Sequence, residues 1–169
     1  MVEKASINLQ RLLDTLQISA SIGSLQNGGI SRLALSKEDK QMRDMFVQWL
    51  EEENLQVKID DLGNIYGRRE GINPDASPIF VGSHLDTQPN GGRYDGILGV
   101  LCALEVIRTL NDLNVATYRP IVIANFTNEE GARFQPPMLG SGAIANRFER
   151  EFVYSRKDSL GKTFYDCLK

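Results

Sequence analysis

Two short apolar runs without polar alternation, Ile79-Phe80-Val81 and Ile121-Val122-Ile123-Ala124, flank a stretch of helical periodicity from Gly96 to Leu110. A run of this kind suits a strand covered on both faces, and the intervening helix supplies the crossover that parallel strands require. This order limits the chain to a layered α/β architecture, and the expectation is an α/β/α domain with a mixed, largely parallel central sheet. Pro74, Pro78 and Gly82 bound the first run, and the second reaches Phe126. Within the helical stretch Leu98, Leu101, Leu104, Val106 and Ile107 are the recurring apolar positions.

The flanking segments fit the same frame. Ile7 to Ile18 reads as an amphipathic helix with Leu9, Leu12, Leu13 and Leu16 on one face, and Ser21 to Ser36 reads as a loop. Ser36 is placed to cap a second helix, with Glu38 and Asp39 in its first turn and Met42, Met45, Phe46, Trp49 and Leu50 as its core face. Residues 56–59 and 64–67 around Asp60-Asp61-Leu62-Gly63 suggest a hairpin, and Thr163 to Lys169 reads as the start of a further helix.

Composition narrows the function. The 169 residues are 41% hydrophobic and 24% charged, enough for one domain with a real core. Nineteen basic against 22 acidic residues, interspersed, give a net charge of −3, which argues against a nucleic-acid partner. The longest nearly apolar run, Gly96 to Leu104, falls well short of the roughly 20 residues that span a bilayer, so no membrane role is expected. Cys102 and Cys167 form no disulfide pattern and the N-terminus lacks a secretory signal, so a cytoplasmic location is expected.

The chemistry lies in three stretches that follow the apolar runs: Gly82-Ser83-His84-Leu85-Asp86-Thr87, Gly91-Gly92-Arg93-Tyr94-Asp95-Gly96 and Asn128-Glu129-Glu130-Gly131. Ligands of open α/β sheets bind at the carboxyl ends of strands, so these stretches can converge. The only histidine of the chain, His84, is among them. One imidazole and two carboxylates suit Zn²⁺ or Mn²⁺, and a carboxylate can bridge two ions about 3.5–4 Å apart. His84, Asp95 and one glutamate of the Glu129-Glu130 pair are therefore candidate ligands, with Asp95 in its glycine-rich loop as the bridge. Asp86, two residues beyond His84 on an extended segment, is placed to accept the free ring N–H. Neighbouring Glu129 and Glu130 divide two tasks, one binding metal and one carrying a proton. Taken singly, a histidine after a strand is more often structural, a Glu-Glu pair is a solvated surface and Gly-Gly is a turn. Only their joint placement favours a metal centre.

These same residues, Val81-Gly82-Ser83-His84-Leu85-Asp86-Thr87-Gln88-Pro89 with Gly91-Gly92-Arg93-Tyr94-Asp95-Gly96-Ile97-Leu98-Gly99-Val100, resemble the metal-dependent amidase and carbamoylase family. That family comprises N-carbamoyl-L-amino-acid hydrolases, yeast-type β-ureidopropionases and allantoate amidohydrolases, relatives of zinc aminopeptidases and carboxypeptidase G-like peptidases. Phe126-Thr127-Asn128-Glu129-Glu130-Gly131-Ala132-Arg133-Phe134 and Met138-Leu139-Gly140-Ser141-Gly142 extend the resemblance over essentially the whole chain. It implies a zinc-peptidase-like catalytic domain with two divalent ions, zinc first and manganese, cobalt or nickel as alternatives. His84 would bind one ion, Asp95 bridge both and Glu130 bind the other, with Glu129 as the acid/base residue. The implied reaction converts an N-carbamoyl (ureido) amino acid to the amino acid, CO₂ and ammonia. Allantoate or a dipeptide is the alternative substrate.

Members of that family are longer, with two further histidine ligands, a substrate-gripping arginine and asparagine, and a smaller dimerisation and lid domain. Residues 1–169 are accordingly expected to be the N-terminal part of the catalytic domain, without the lid domain and the C-terminal part, and inactive alone. A half-enzyme that needs a complementing chain, or a non-catalytic fragment, is the alternative. The full-length form is expected to be a homodimer acting on a small molecule.

Overall fold

A computed structural model describes residues 5–169. The elements in order are α1 (Leu9–Ser21), α2 (Lys37–Glu52), β1 (Gln56–Ile59), β2 (Ile65–Arg69), β3 (Ile79–Ser83), α3 (Ile97–Asp112), β4 (Ile121–Asn125) and three short helices, α4 (Leu139–Ile144), α5 (Arg150–Tyr154) and α6 (Phe164–Leu168). The four strands form one mixed sheet in the order β1-β2-β4-β3. The strand, helix, strand unit is present as expected, with β3 and β4 parallel in the register Ile79↔Ile121 to Ser83↔Asn125. The parallel character is confined to that pair. The β1–β2 hairpin, antiparallel as a tight turn at Asp60 to Asn64 imposes, joins β4 antiparallel through β2.

Helix α3 packs on β3 and β4, while α2 packs on β1 and β2. Between helices and sheet lies one apolar core that includes Met42, Phe46, Leu50, Ile65, Leu101, Leu104 and Ile123. Ser36 caps α2 by accepting from the Asp39 N–H at 3.2 Å, as its place before an acidic first turn predicts. Gly67 is needed where it stands, because a Cβ there would meet the Leu50 side chain of α2 at 2.6 Å. The predicted first helix is shifted, and its buried stripe is Leu12, Thr15, Leu16 and Ser19 rather than all four leucines. Leu9 and Leu13 face solvent because the stripe set by α3 follows i, i+3, i+4 and i+7 from Leu12. Glu105 of α3 anchors this helix, accepting from Arg11 Nε at 2.8 Å and from the Asn8 N–H at 3.0 Å.

A second correction concerns β3. Its lack of alternation predicts a strand covered on both faces, as β4 indeed is. Instead β3 is outermost in the sheet, and Ile79, Phe80 and Val81 are all exposed. The sheet face opposite the helices carries Tyr66, Phe80 and Val122 along an open cleft rimmed by Lys58, Arg68 and Arg150. The short helices α4 to α6 gather around a smaller core of Leu62, Phe134, Leu139, Val153 and Phe164. Helix α6 is capped by Thr163 through a capping box with Asp166, in agreement with the helix start read at that point.

Candidate active site

The parallel register of β3 and β4 decides which loops meet. Because Ser83 pairs with Asn125, the chain leaves both strands at the same level. The Phe126 N–H donates to the Ser83 carbonyl at 2.9 Å and carries the pairing one step further. Residues 84–88 and 126–131 therefore emerge side by side, and the turn before α3 delivers Asp95 and Gly96 to the same ledge.

His84 is buried and its imidazole is fixed from two directions. Ring Nδ1 lies 2.9 Å from the Asp86 main-chain carbonyl, a group that can only accept, so Nδ1 carries a proton. Gly96, at φ +67°, lies against the ring so closely that an added Cβ would sit 2.5 Å from both Nδ1 and Nε2. The remaining nitrogen, Nε2, points at carboxylates, with Glu129 Oε2 at 3.4 Å and Asp95 Oδ1 at 4.0 Å. A neutral imidazole with its Nδ1 protonated presents a lone pair there, and a lone pair facing two anionic oxygens calls for a cation or a proton between them.

Asp86 does a different job from the one its spacing suggests. Its carboxylate is 4.0 Å from ring Nδ1, and the ring is oriented by the Asp86 carbonyl instead. The carboxylate oxygens accept from the main-chain N–H groups of Glu129 and Glu130, each at 3.2 Å. The residue thus ties the histidine loop to the glutamate loop by its backbone on one side and its side chain on the other. Burial, with Asp39 nearby, pushes the Asp86 carboxyl up to about 6, against the pull of His84 and the two N–H donors.

Glu130 is held beside this group by Gln88, whose Nε2 donates to Glu130 Oε2 at 2.8 Å. Its other oxygen, Oε1, is buried without a hydrogen-bond partner. Asp95 and Glu129 are thus each brought within 4.0 Å of His84 Nε2, while Glu130 is tied to the same loops through Asp86 and Gln88. Among the described residues no three acidic, histidine or cysteine side chains close around a single point. The site is an open ledge, with the side chains of Asp95 and Glu129 exposed to 66% and 36%.

Sequence reasoning missed three supports of this ledge. Asn128 is fully buried at φ +57°, and its side chain donates to the Phe134 carbonyl at 2.8 Å and accepts from the Phe134 N–H at 3.3 Å. It pins the loop that carries both glutamates. The segment read as a plain loop, Ser21 to Ser36, braces the Asp95 loop: Ile30 and Gly91 exchange N–H···O bonds at 3.0 and 2.8 Å, and Arg93 Nε donates to the Gly28 carbonyl at 2.7 Å. Within it Arg32 is fully buried, bonding the Leu85 carbonyl at 2.8 Å and offering its N–H to Thr87 Oγ1 at 2.9 Å. Burial pushes the Arg32 guanidinium down to about 10. Nothing in the pattern around Arg32 marks it as buried, whereas an asparagine directly before Glu129-Glu130-Gly131 is a usable sign of a left-handed turn position.

A histidine and acidic side chains are collected at the carboxyl ends of a parallel strand pair, the place where open α/β sheets bind ligands. Residues 80–163 match the Peptidase family M20/M25/M40, and the chain carries a domain of that family. It is 48% identical over 167 residues to the N-carbamoyl-L-amino-acid amidohydrolase of Rhizobium meliloti, covering 99% of this chain and 40% of that protein. It is 36% identical over 121 residues to allantoate deiminase 1 of Glycine max, covering 70% of this chain and 25% of that one. The crystal structure of a hydantoinase/carbamoylase family amidase from Burkholderia ambifaria superposes with a TM-score of 0.96 at 44% identity, covering 98% of this chain and 41% of that one. The chain spans about two fifths of the length of the first curated relatives it matches. No helix among the described residues is long and apolar enough to cross a membrane, and both cysteines are unpaired.

Proposed function

We propose that residues 1–169 are the N-terminal part of the catalytic domain of a divalent-metal amidohydrolase that cleaves N-carbamoyl amino acids. The observation that carries this reading is the aim of His84 Nε2 between Glu129 and Asp95 while Nδ1 is held by the Asp86 carbonyl. The lone pair facing carboxylates and the buried, unpartnered Glu130 Oε1 fit a divalent cation, so His84, Asp95 and Glu130 would hold two ions, zinc first, with Asp95 as the bridge. When bound, such ions supply Lewis acidity to the scissile carbonyl and to water. The protein's own part is positional and acid–base. Glu129 Oε2 takes a proton from water and hands it to the departing nitrogen, and Asp86 keeps Glu129 and His84 in mutual register. The amino acid, CO₂ and ammonia are the products. The name of the Rhizobium meliloti relative supports the ureido substrate, and that of the soybean relative makes allantoate the second substrate to assay.

One histidine and an open ledge are too little for turnover in this reading. Three ligands shared by two ions leave both under-coordinated, and the lid domain, the further ligands and the homodimer contact belong to the remainder of a full-length enzyme. The purified chain with Zn²⁺, Mn²⁺, Co²⁺ or Ni²⁺ is expected to release no ammonia from N-carbamoyl-L-amino acids above blank. Co-expression with the remaining three fifths of the Rhizobium meliloti relative is expected to restore release that Glu129→Gln lowers by about 10²–10⁴-fold. Turnover by the isolated chain, or by the pair irrespective of Glu129, would contradict the assignment.

A further inference from the structure

We infer that Gln88 is a positioning residue that selects which oxygen of Glu130 meets the cation, an inference that rests on the metal reading above. The main chain of Glu130 is already fixed on both sides. Its N–H donates to Asp86 Oδ2 at 3.2 Å, and the next residue, Gly131, takes φ +64° under Pro137, where an added Cβ would meet the proline nitrogen at 2.6 Å. What remains free is the side chain, and Gln88 removes that freedom. Its Nε2 donates to Glu130 Oε2 at 2.8 Å and lies 3.5 Å from the Glu130 carbonyl. An amide N–H can only donate, so Oε2 is occupied and the buried, unpartnered Oε1 is the oxygen left to ligate. The neutrality of the donor matters as much as its reach. A lysine or arginine at this position could hold the same carboxylate but would neutralise it and repel a cation, whereas an amide orients the charge and leaves it intact.

Gln88 is exposed, which makes the inference testable without unfolding the chain. The probe is Mn²⁺ alone, titrated into the 169-residue chain and followed by paramagnetic broadening of the Gly96, Glu130 and Gly131 amide signals, a readout that detects weak binding. Gln88→Met and Glu130→Gln are each expected to weaken binding about 10-fold or more, the effect of losing a partner of a ligand, with thermal unfolding unchanged in Gln88→Met. Gln88→Lys is expected to keep stability yet bind Mn²⁺ no better than Gln88→Met, an outcome a merely structural contact would not give. If Glu130→Gln weakens binding and Gln88→Met does not, the positioning role is overturned and the metal reading stands. If the parent chain shows no broadening of these signals at millimolar Mn²⁺, the metal reading fails for this chain and the role of Gln88 falls with it.

Discussion

Gly96→Ala is expected to dislodge the His84 imidazole and to destabilise the chain by about 2–5 kcal/mol. Two costs add. An alanine held at φ +67° bears the steric penalty of the left-handed region, about 1–2 kcal/mol. Its Cβ would also sit 2.5 Å from both ring nitrogens, and overpacking of that kind costs about 1–3 kcal/mol. The ring cannot withdraw, because it is buried and its Nδ1 is held by the Asp86 carbonyl. Nor can the backbone yield without cost, since Gly96 is the N-cap of α3 and follows Asp95 directly. Urea unfolding reads the stability, and the His84 ring proton resonances read the displacement. Gly92→Ala is the control, because a Cβ there meets nothing nearer than the Asp95 Cβ at 4.0 Å. Equal stability of Gly96→Ala and Gly92→Ala, with unshifted His84 resonances, would overturn the account of the ring's packing.

Asn128→Ala is expected to lose about 2–4 kcal/mol, with Asn128→Gly falling short of that loss by about 1 kcal/mol. The alanine leaves the buried Phe134 carbonyl without its side-chain donor and the Phe134 N–H without its acceptor, and retains strain at φ +57°. Glycine forfeits the same two bonds but relieves the strain, so the difference between the two variants isolates the backbone contribution. Because the Met138 N–H also donates to the Glu129 carbonyl at 2.9 Å, the loosened segment is the one bearing Glu129 and Glu130. Hydrogen exchange at the amides of residues 129–134 is expected to accelerate more than exchange in β4. Identical stability of the two variants would show that the left-handed conformation carries no strain.

Much of this arrangement is legible in the residues because it rests on local rules. Ser36 before an acidic first turn, the turn from Asp60 to Gly63 and the apolar Ile121-Val122-Ile123-Ala124 each specify an element through a cap, a turn or full burial. His84, Asp95 and Glu129 were traceable because parallel strands deliver their loops to one end. Features that depend on tertiary context were not. Whether Ile79-Phe80-Val81 lies inside the sheet or at its margin is decided by how many strands pair beyond it, which its own composition does not encode. Asp86 illustrates a subtler limit. Period-two spacing puts its side chain on the histidine's side of the strand, but the strand ends at Ser83, so the alternation no longer applies and the carbonyl reaches the ring first. The burial of Arg32 depends on three distant carbonyls, those of Ser19, Ile22 and Leu85, converging on one guanidinium.

The outermost position of β3 has a consequence for the handling of this chain. Phe80 and Gly82 direct their main-chain groups away from β4, and Phe80 is 52% exposed. A margin free of charged residues from Ile79 to Ser83, with three large apolar side chains at its start, offers a template onto which an extended segment can add, including the same strand of another molecule. Proteins blunt such margins with lysine, proline or a bulge, and none occurs within β3. Self-association of the purified chain through these five residues is the expected outcome, read as a rise in apparent mass with concentration that Phe80→Lys suppresses.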